Sequence, residues 1–63
     1  MMTEQFGEII REARYRRGLT QAEAAALCGV GERSWRRWEA GGQPRMYEAR
    51  MILEKLAKGG ERT

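Results

Sequence analysis

Apolar residues recur three and four positions apart along this chain, which is the spacing of helices with one buried face. Glycines interrupt the pattern and separate four segments. The pattern predicts helix 1 at about residues 3–17, helix 2 at 20–28, helix 3 at 32–40 and helix 4 at 45–58, with a frayed tail at 59–63. The sequence therefore predicts an all-α fold in a single domain over residues 1–63.

Capping residues mark several of the predicted boundaries. Thr3 can cap helix 1, and Gly18 stands where a left-handed residue would end it. Thr20, followed by Glu23 three positions later, has the form of a capping box at the start of helix 2. Pro44 is acceptable in the first turn of helix 4. These signals support four separate helices with short connections.

Helices 2 and 3 are short and are joined by a glycine-containing turn at residues 29–31. Two short helices joined in this way form a helix-turn-helix, and in proteins that use it to bind DNA the second helix lies in the major groove. We therefore expect a compact four-helix helix-turn-helix domain, with at most a short fifth turn after helix 4.

Predicted helix 3 carries two tryptophans among three arginines. Such a mixture can form a surface on which single-stranded bases stack, or a helix with one buried and one basic face. At about 100° per residue, the tryptophans fall on one side of the helix and the arginines on the other. Stacking would need both on the same side, so we expect the tryptophans in the core. The expected core anchors are Phe6, Ile10, Trp35 and Trp38.

Composition narrows the possible function classes. Apolar residues make up 41% of the 63 positions, and no apolar run approaches the length of a membrane span, about 20 residues. The net charge of +3 raises the expectation of a polyanionic partner. The chain has no histidine and only one cysteine, Cys28, which excludes an internal disulfide and a Cys/His metal site. We expect no enzyme activity, cofactor, metal, small-molecule ligand or membrane partner, and a cytoplasmic location.

Four short motifs occur in a fixed order: Ile-Arg-Glu-Ala-Arg at residues 10–14, Gly-Leu-Thr-Gln at 18–21, Gly-Val-Gly at 29–31 and Arg-Trp-Glu-Ala-Gly at 37–41. In that order and spacing they resemble the phage repressor and Cro-type (XRE-like) helix-turn-helix family over roughly residues 6–57. The run at residues 33–41 is most similar to small phage-encoded regulators, such as those that accompany anti-CRISPR genes. The resemblance implies a DNA-binding protein of a bacterial cell, encoded by a phage or a plasmid.

The resemblance also implies roles for individual residues. Helix 3 would read base edges through Glu32, Arg33, Arg36 and Arg37. Phosphate contacts are expected at Thr20, Gln21, Ser34 and Arg45, and Gln21 would also brace the recognition helix. Arg14 and Glu39 match a buried or half-buried ion pair that ties helix 1 to the end of helix 3.

The chemistry of these side chains suits such roles. The planar guanidinium of arginine bonds guanine O6 and N7 together, so a half-site that contains G·C pairs is expected. Glu32 has two possible uses: its carboxylate can accept from the cytosine amino group, or it can hold a neighbouring arginine in place. The sequence leaves these two uses open.

Some positions depart from the family pattern. Ala24 and Cys28 are small where the family has larger aliphatic residues, and we infer that Trp35 fills the volume that they leave. Leu27 either contacts helix 4 or forms an exposed patch for a partner. No fifth helix is expected. Helix 4, through Met46, Met51, Ile52 and Leu56, or the N-terminal Met1-Met2 could supply an apolar dimer interface. The same residues can instead belong to the core, and the sequence leaves these two roles open.

The leading hypothesis is a sequence-specific transcriptional regulator, most simply a repressor, that binds a palindromic double-stranded DNA operator as a homodimer. The alternative is an antitoxin-like protein-binding module that also binds DNA. Binding to RNA is less favoured because the A-form major groove is too narrow for a helix. An enzyme is not expected, since acid–base and metal catalysis both lack their usual residues.

Overall fold

The computed structural model describes residues 5–61, with side chains described for residues 6–57, and contains four helices joined by short connections. The helices are α1 (Gln5–Arg16), α2 (Gln21–Cys28), α3 (Glu32–Glu39) and α4 (Met46–Glu61). The predicted all-α fold with a helix-turn-helix is confirmed. The expected cap at Thr3 and an interface through Met1-Met2 lie outside the described residues.

The capping box predicted at the start of α2 is present. The Glu23 amide donates to Thr20 Oγ1 at 3.1 Å, and the Thr20 amide donates to Glu23 Oε1 at 2.8 Å. At the other end of α2, Gly29 adopts the left-handed conformation with φ of 73°, which a residue with a side chain adopts only at a cost. The chain can therefore leave α2 and enter α3 within three residues.

The start of α4 differs slightly from the prediction. Pro44 precedes the helix instead of lying in its first turn, because α4 begins at Met46. Arg45 stands at the N-cap position. The Arg45 carbonyl accepts from the Ala49 amide at 2.9 Å, and the Arg45 amide donates to Glu48 Oε1 at 3.2 Å. The side chain of Glu48 thus satisfies an amide that the helix itself leaves without a partner.

The end of α4 was predicted too early. The helix continues through Gly59 and Gly60 to Glu61, so the expected boundary near residue 58 and the expected tail at 59–61 are wrong. Glycine lowers helix stability by about 1 kcal/mol relative to alanine, but a helix continues through a glycine whose backbone stays helical. The remaining tail, residues 62–63, lies outside the described residues.

Each helix contributes buried apolar residues to one core. The largest of them is Trp35, whose side chain is fully buried. Phe6 packs edge-on against Trp38, with ring centroids 6.2 Å apart. Phe6 itself is only partly buried at the edge of the cluster. The buried apolar residues are Ile10, Ala24, Ala25, Cys28, Trp35, Trp38, Ile52 and Leu56.

The core face of α4 is narrower than the apolar stripe of its sequence. Ile52 and Leu56 are buried, whereas Met46 and Leu53 are exposed. Ile52 and Leu56 therefore take the core role that the sequence left open for them, whereas Met46 stays accessible for an interface. Within residues 5–61, no helix combines the length and the apolar character that crossing a bilayer requires.

Helices α1 and α3 approach each other closely at Gly7. A Cβ atom on Gly7 would overlap the carbonyl oxygen of Trp38 and would lie 3.3 Å from the Cα of Glu39. Only a residue without a side chain fits between the two backbones at this point. Gly7 therefore sets how closely α1 supports the C-terminal end of α3.

Candidate nucleic-acid interface

The exposed face of α3 is basic. Arg33, Arg36 and Arg37 are exposed together with Glu32, while Trp35 and Trp38 are buried on the opposite side. A surface for base stacking would need exposed rings beside these arginines. The tryptophans instead anchor the helix to the core and leave the arginines facing solvent.

The four charged side chains on this face, which we call the α3 basic face, are not equivalent in position. The buried side of α3 is formed by Trp35, Trp38 and Glu39. Arg33 and Arg37 lie within about 30° of the direction opposite to that side, and Arg36 lies about 70° from that direction. Arg36 is on the flank shared with Glu39, the last residue of α3. Arg33 and Arg37 thus project furthest from the body of the domain.

Glu32 pairs with Arg36 across one helical turn. The distance between Arg36 Nη2 and Glu32 Oε2 is 3.3 Å, and the side chains are 63% and 45% exposed. Of the two uses that the sequence left open for Glu32, the free domain adopts the contact with a neighbouring arginine. Contact with a base remains a prediction for all four residues of the α3 basic face.

Arg37 is supported by the chain that follows α3. The Gly42 amide donates to the Arg37 carbonyl at 2.9 Å, and a Cβ on Gly42 would lie 3.1 Å from Arg37 Cγ. The loop therefore packs against the aliphatic part of Arg37 while the residue stays exposed. This contact was not foreseen from the sequence, although glycines after a helix are a general signal for such a turn.

Glu39 joins three parts of the domain through its carboxylate. It accepts from Arg14 Nε at 2.7 Å and Nη2 at 3.0 Å, from Gln21 Nε2 at 3.1 Å and from Trp35 Nε1 at 2.6 Å. The side chains of Arg14 and Glu39 are only 11% and 6% exposed. This Glu39 network ties the end of α3 to α1 and to the first residue of α2.

The network also controls the charge state of its members. Burial on its own would raise the pKa of the Glu39 carboxyl, but the hydrogen bonds from Arg14, Trp35 and Gln21 outweigh it and the pKa is lowered. The pKa of the Arg14 guanidinium is raised, mainly by its hydrogen bond to Glu39. Both groups are therefore charged at neutral pH, and the ion pair persists.

Gln21 was expected to contact a phosphate and to brace the recognition helix. Its amide nitrogen donates to Glu39, which provides such a brace from α2 to α3. Arg11, which the sequence did not single out, joins the same region: its Nη2 donates to the carbonyl oxygen of Glu39 at 3.0 Å. Arg11 lies three residues before Arg14 and so on the same side of α1, a signal that could have identified it.

The other expected phosphate-contacting residues lie at separate points. Thr20 is exposed at the start of α2, and Arg45 is exposed at the start of α4. Ser34 is half-buried within α3. Contact of these residues with phosphate remains a prediction.

The described residues offer no metal site, since they contain no group of three or more Cys, Asp or Glu side chains placed to share an ion. Cys28 is buried among apolar side chains, and this burial raises the pKa of its thiol. A buried, protonated thiol is a poor nucleophile, in keeping with a core role for this residue.

Comparison with known proteins agrees with this geometry. A family model described as a helix-turn-helix domain matches residues 5–59, which include all of α1, α2 and α3 and most of α4. A search of curated proteins and a search of solved structures each found no match. The family match covers most of the 63 residues. The chain therefore belongs to the helix-turn-helix domain family, a fold of DNA-binding regulators.

Proposed function

We propose that this protein is a sequence-specific transcriptional regulator that inserts α3 into the major groove of double-stranded DNA. The observation that carries the proposal is the α3 basic face, which projects from the second helix of a helix-turn-helix. The Glu39 network supports it, because that network fixes the orientation of α3 through buried, charge-assisted hydrogen bonds. A rigid helix holds its arginines at defined positions, which base recognition needs.

Within the α3 basic face, Arg33 and Arg37 are the residues that we propose for base contacts at guanine. They project furthest from the core, and guanine offers the O6 and N7 pair that a guanidinium bonds with two donors. Glu32 and Arg36 would lie beside them, towards one wall of the groove. Thr20, Gln21, Ser34 and Arg45 would bind phosphates and set the register of the domain on the duplex.

We further propose that the domain binds as a homodimer to a palindromic operator and acts as a repressor. One small domain makes few base contacts, and pairing about a two-fold axis places recognition helices about 34 Å apart in successive major grooves. Repression needs no surface beyond the DNA-binding one, since the bound domain blocks access to its site. Exposed α4 side chains, such as Met46 and Tyr47, are the apolar surface that we propose for pairing.

The motifs that resemble the Cro-type family lead us to propose that the protein is a small regulator encoded by a phage or a plasmid. The Arg14–Glu39 ion pair agrees with the resemblance on which this proposal rests, because it joins two of the four motifs in space.

Substitution of single cationic residues tests the assignment of base and phosphate contacts. Arg33→Ala and Arg37→Ala should each lower affinity for the preferred duplex by about 5- to 150-fold, or 1–3 kcal/mol, and relax preference at one or two base pairs. Arg45→Ala should weaken binding evenly across sequences. Lys55→Ala is the matched control, since Lys55 is exposed on α4 and its loss removes the same unit of charge.

Electrophoretic mobility shifts on a panel of single-base variants of the preferred duplex measure both quantities. An unchanged base preference in both Arg33→Ala and Arg37→Ala would remove α3 as the recognition helix. A protein that binds no duplex at low salt would contradict the proposed function as a whole.

A further inference from the structure

The α3 basic face contains one acid, Glu32, at a position where a neutral residue would leave three arginines unopposed. Arginines near DNA bind phosphates whatever the base sequence, and such contacts supply most of the non-specific affinity for DNA. A carboxylate on the same face opposes that affinity, because it repels every phosphate close to it. An acid in the first turn of a helix is favoured by the helix dipole, but at this position Glu32 also bears on selectivity.

The geometry of the pair gives such an explanation. Glu32 and Arg36 are one turn apart on the same side of α3, and their charged groups are 3.3 Å apart. A side chain on a helix points towards the N-terminus, so Arg36 lies over the turn that contains Glu32. The Glu32 carboxylate thereby holds the guanidinium of Arg36 along the helix, where it is less free to extend towards a DNA backbone beside α3.

The flank on which Arg36 lies is also the one nearest the start of α2. Glu39 shares that flank, and it accepts a hydrogen bond from Gln21, the first residue of α2. The start of α2 is where the proposed function places a phosphate contact. In the proposed complex, an Arg36 side chain without its Glu32 partner would be free to extend towards the phosphate bound there.

We propose that Glu32 is a positioning residue that sets sequence specificity by withholding Arg36 from the phosphates. The inference rests on the proposed function of α3 and adds a division of roles within its basic face. Arg33 and Arg37 recognise bases, whereas the Glu32–Arg36 pair limits binding to the wrong sequences.

The proposal has a measurable consequence in the salt dependence of binding. Each phosphate contact adds about 0.9 to the slope of log affinity against log salt on double-stranded DNA. If Glu32→Gln releases Arg36 to one phosphate, the slope steepens by about 0.9. Over a fourfold rise in salt, the variant then loses about 3.5-fold more affinity than the wild type.

The test compares wild type, Glu32→Gln, Arg36→Ala and the double variant on two labelled duplexes, the preferred sequence and a scrambled one, at 50 and 200 mM salt. Glu54→Gln is the matched control. Glu54 is exposed on α4, and its substitution changes the net charge by the same unit far from Arg36 in the chain. Circular dichroism spectra establish that each variant is folded.

We expect Glu32→Gln to raise affinity for the scrambled duplex several-fold, to steepen the slope and to lower the ratio of preferred to scrambled affinity. In the Arg36→Ala background the same substitution should leave the slope unchanged, because no arginine remains to be released. An equal effect in both backgrounds, or an effect matched by Glu54→Gln, would overturn the proposal.

A second contrary result is loss of affinity in Glu32→Gln at one base pair of the preferred duplex only, because it would mean that Glu32 contacts a base. The wild-type protein separates these outcomes from failure of the proposed function. If the wild type shows no preference between the two duplexes, the proposed function fails; if it does, only the role of Glu32 is under test.

Discussion

Removing the charge of Glu39 should lower the free energy of unfolding by several kcal/mol. Glu39→Gln keeps the shape of the side chain but replaces one carboxylate oxygen with an amino group. In the native protein both oxygens accept hydrogen bonds, Oε1 from Arg14 and Gln21 and Oε2 from Arg14 and Trp35. An amide at this position must direct its own donors at one of those groups.

The size of the effect follows from burial. The Arg14 side chain is 11% exposed, so loss of Glu39 leaves a largely buried guanidinium without its counter-charge. Breaking one side of a buried ion pair costs about 3–5 kcal/mol. A domain of 63 residues has a total free energy of unfolding of about 3–9 kcal/mol. Glu39→Gln therefore removes a large part of the stability.

Urea denaturation, monitored by tryptophan fluorescence, measures this loss directly. The only two tryptophans, Trp35 and Trp38, are both buried, so their fluorescence reports unfolding. Glu32→Gln is the matched control. It removes the same charge from the same helix, but from an exposed pair that contributes about 0.5 kcal/mol. If the free energy of unfolding of Glu39→Gln were within about 1 kcal/mol of the wild-type value, the Glu39 network would not be what fixes α3.

Three further predictions concern stability. Gly7→Ala should cost about 1–3 kcal/mol, because its Cβ would overlap the Trp38 carbonyl; an unchanged urea midpoint would mean that α1 and α3 separate easily. The pKa of Glu39 in the folded protein lies below the unfolded value of about 4.3. The ionised carboxylate therefore stabilises the fold fully above about pH 4.3, and this stabilisation is lost as the pH falls through the folded pKa. Urea midpoints measured from pH 7 to pH 3 should show this loss in the wild type and a smaller one in Glu39→Gln. Trp35→Ala should cost about 3–5 kcal/mol; a folded variant that had lost only nucleic-acid binding would revive a stacking role for the ring.

The features that could be predicted from the sequence are those with a local signal. The capping box of Thr20 and Glu23 depends on residues three apart, and the left-handed Gly18 and Gly29 end helices at positions where glycine is the usual choice. The separation of tryptophans from arginines on α3 follows from helical geometry alone. Such features need no knowledge of how the helices pack.

Contacts between distant parts of the chain were harder to foresee. Arg14 and Glu39 are 25 residues apart, and only the family resemblance paired them. The bonds from Gln21 and Arg11 to Glu39, and the close approach at Gly7, depend on the angles at which helices pack. No periodicity in the sequence encodes these angles, because they result from the fit of many side chains at once.

The extent of α4 was misjudged for a different reason. The predicted end of helix 4 at residue 58 precedes Gly59 and Gly60, yet both glycines lie within the helix. Glycine permits many conformations without requiring one, so its presence indicates where a helix can end and not that it does.

Selection of bound duplexes from a random pool, followed by sequencing, tests the central claim most directly. The account predicts that the wild-type protein enriches a palindromic consensus whose half-sites contain G·C pairs, with centres about one helical turn, or about 34 Å, apart. Selection with Arg37→Ala should relax the consensus at one or two positions of each half-site. A pool that stays random after repeated selection at low salt would contradict sequence-specific recognition by α3.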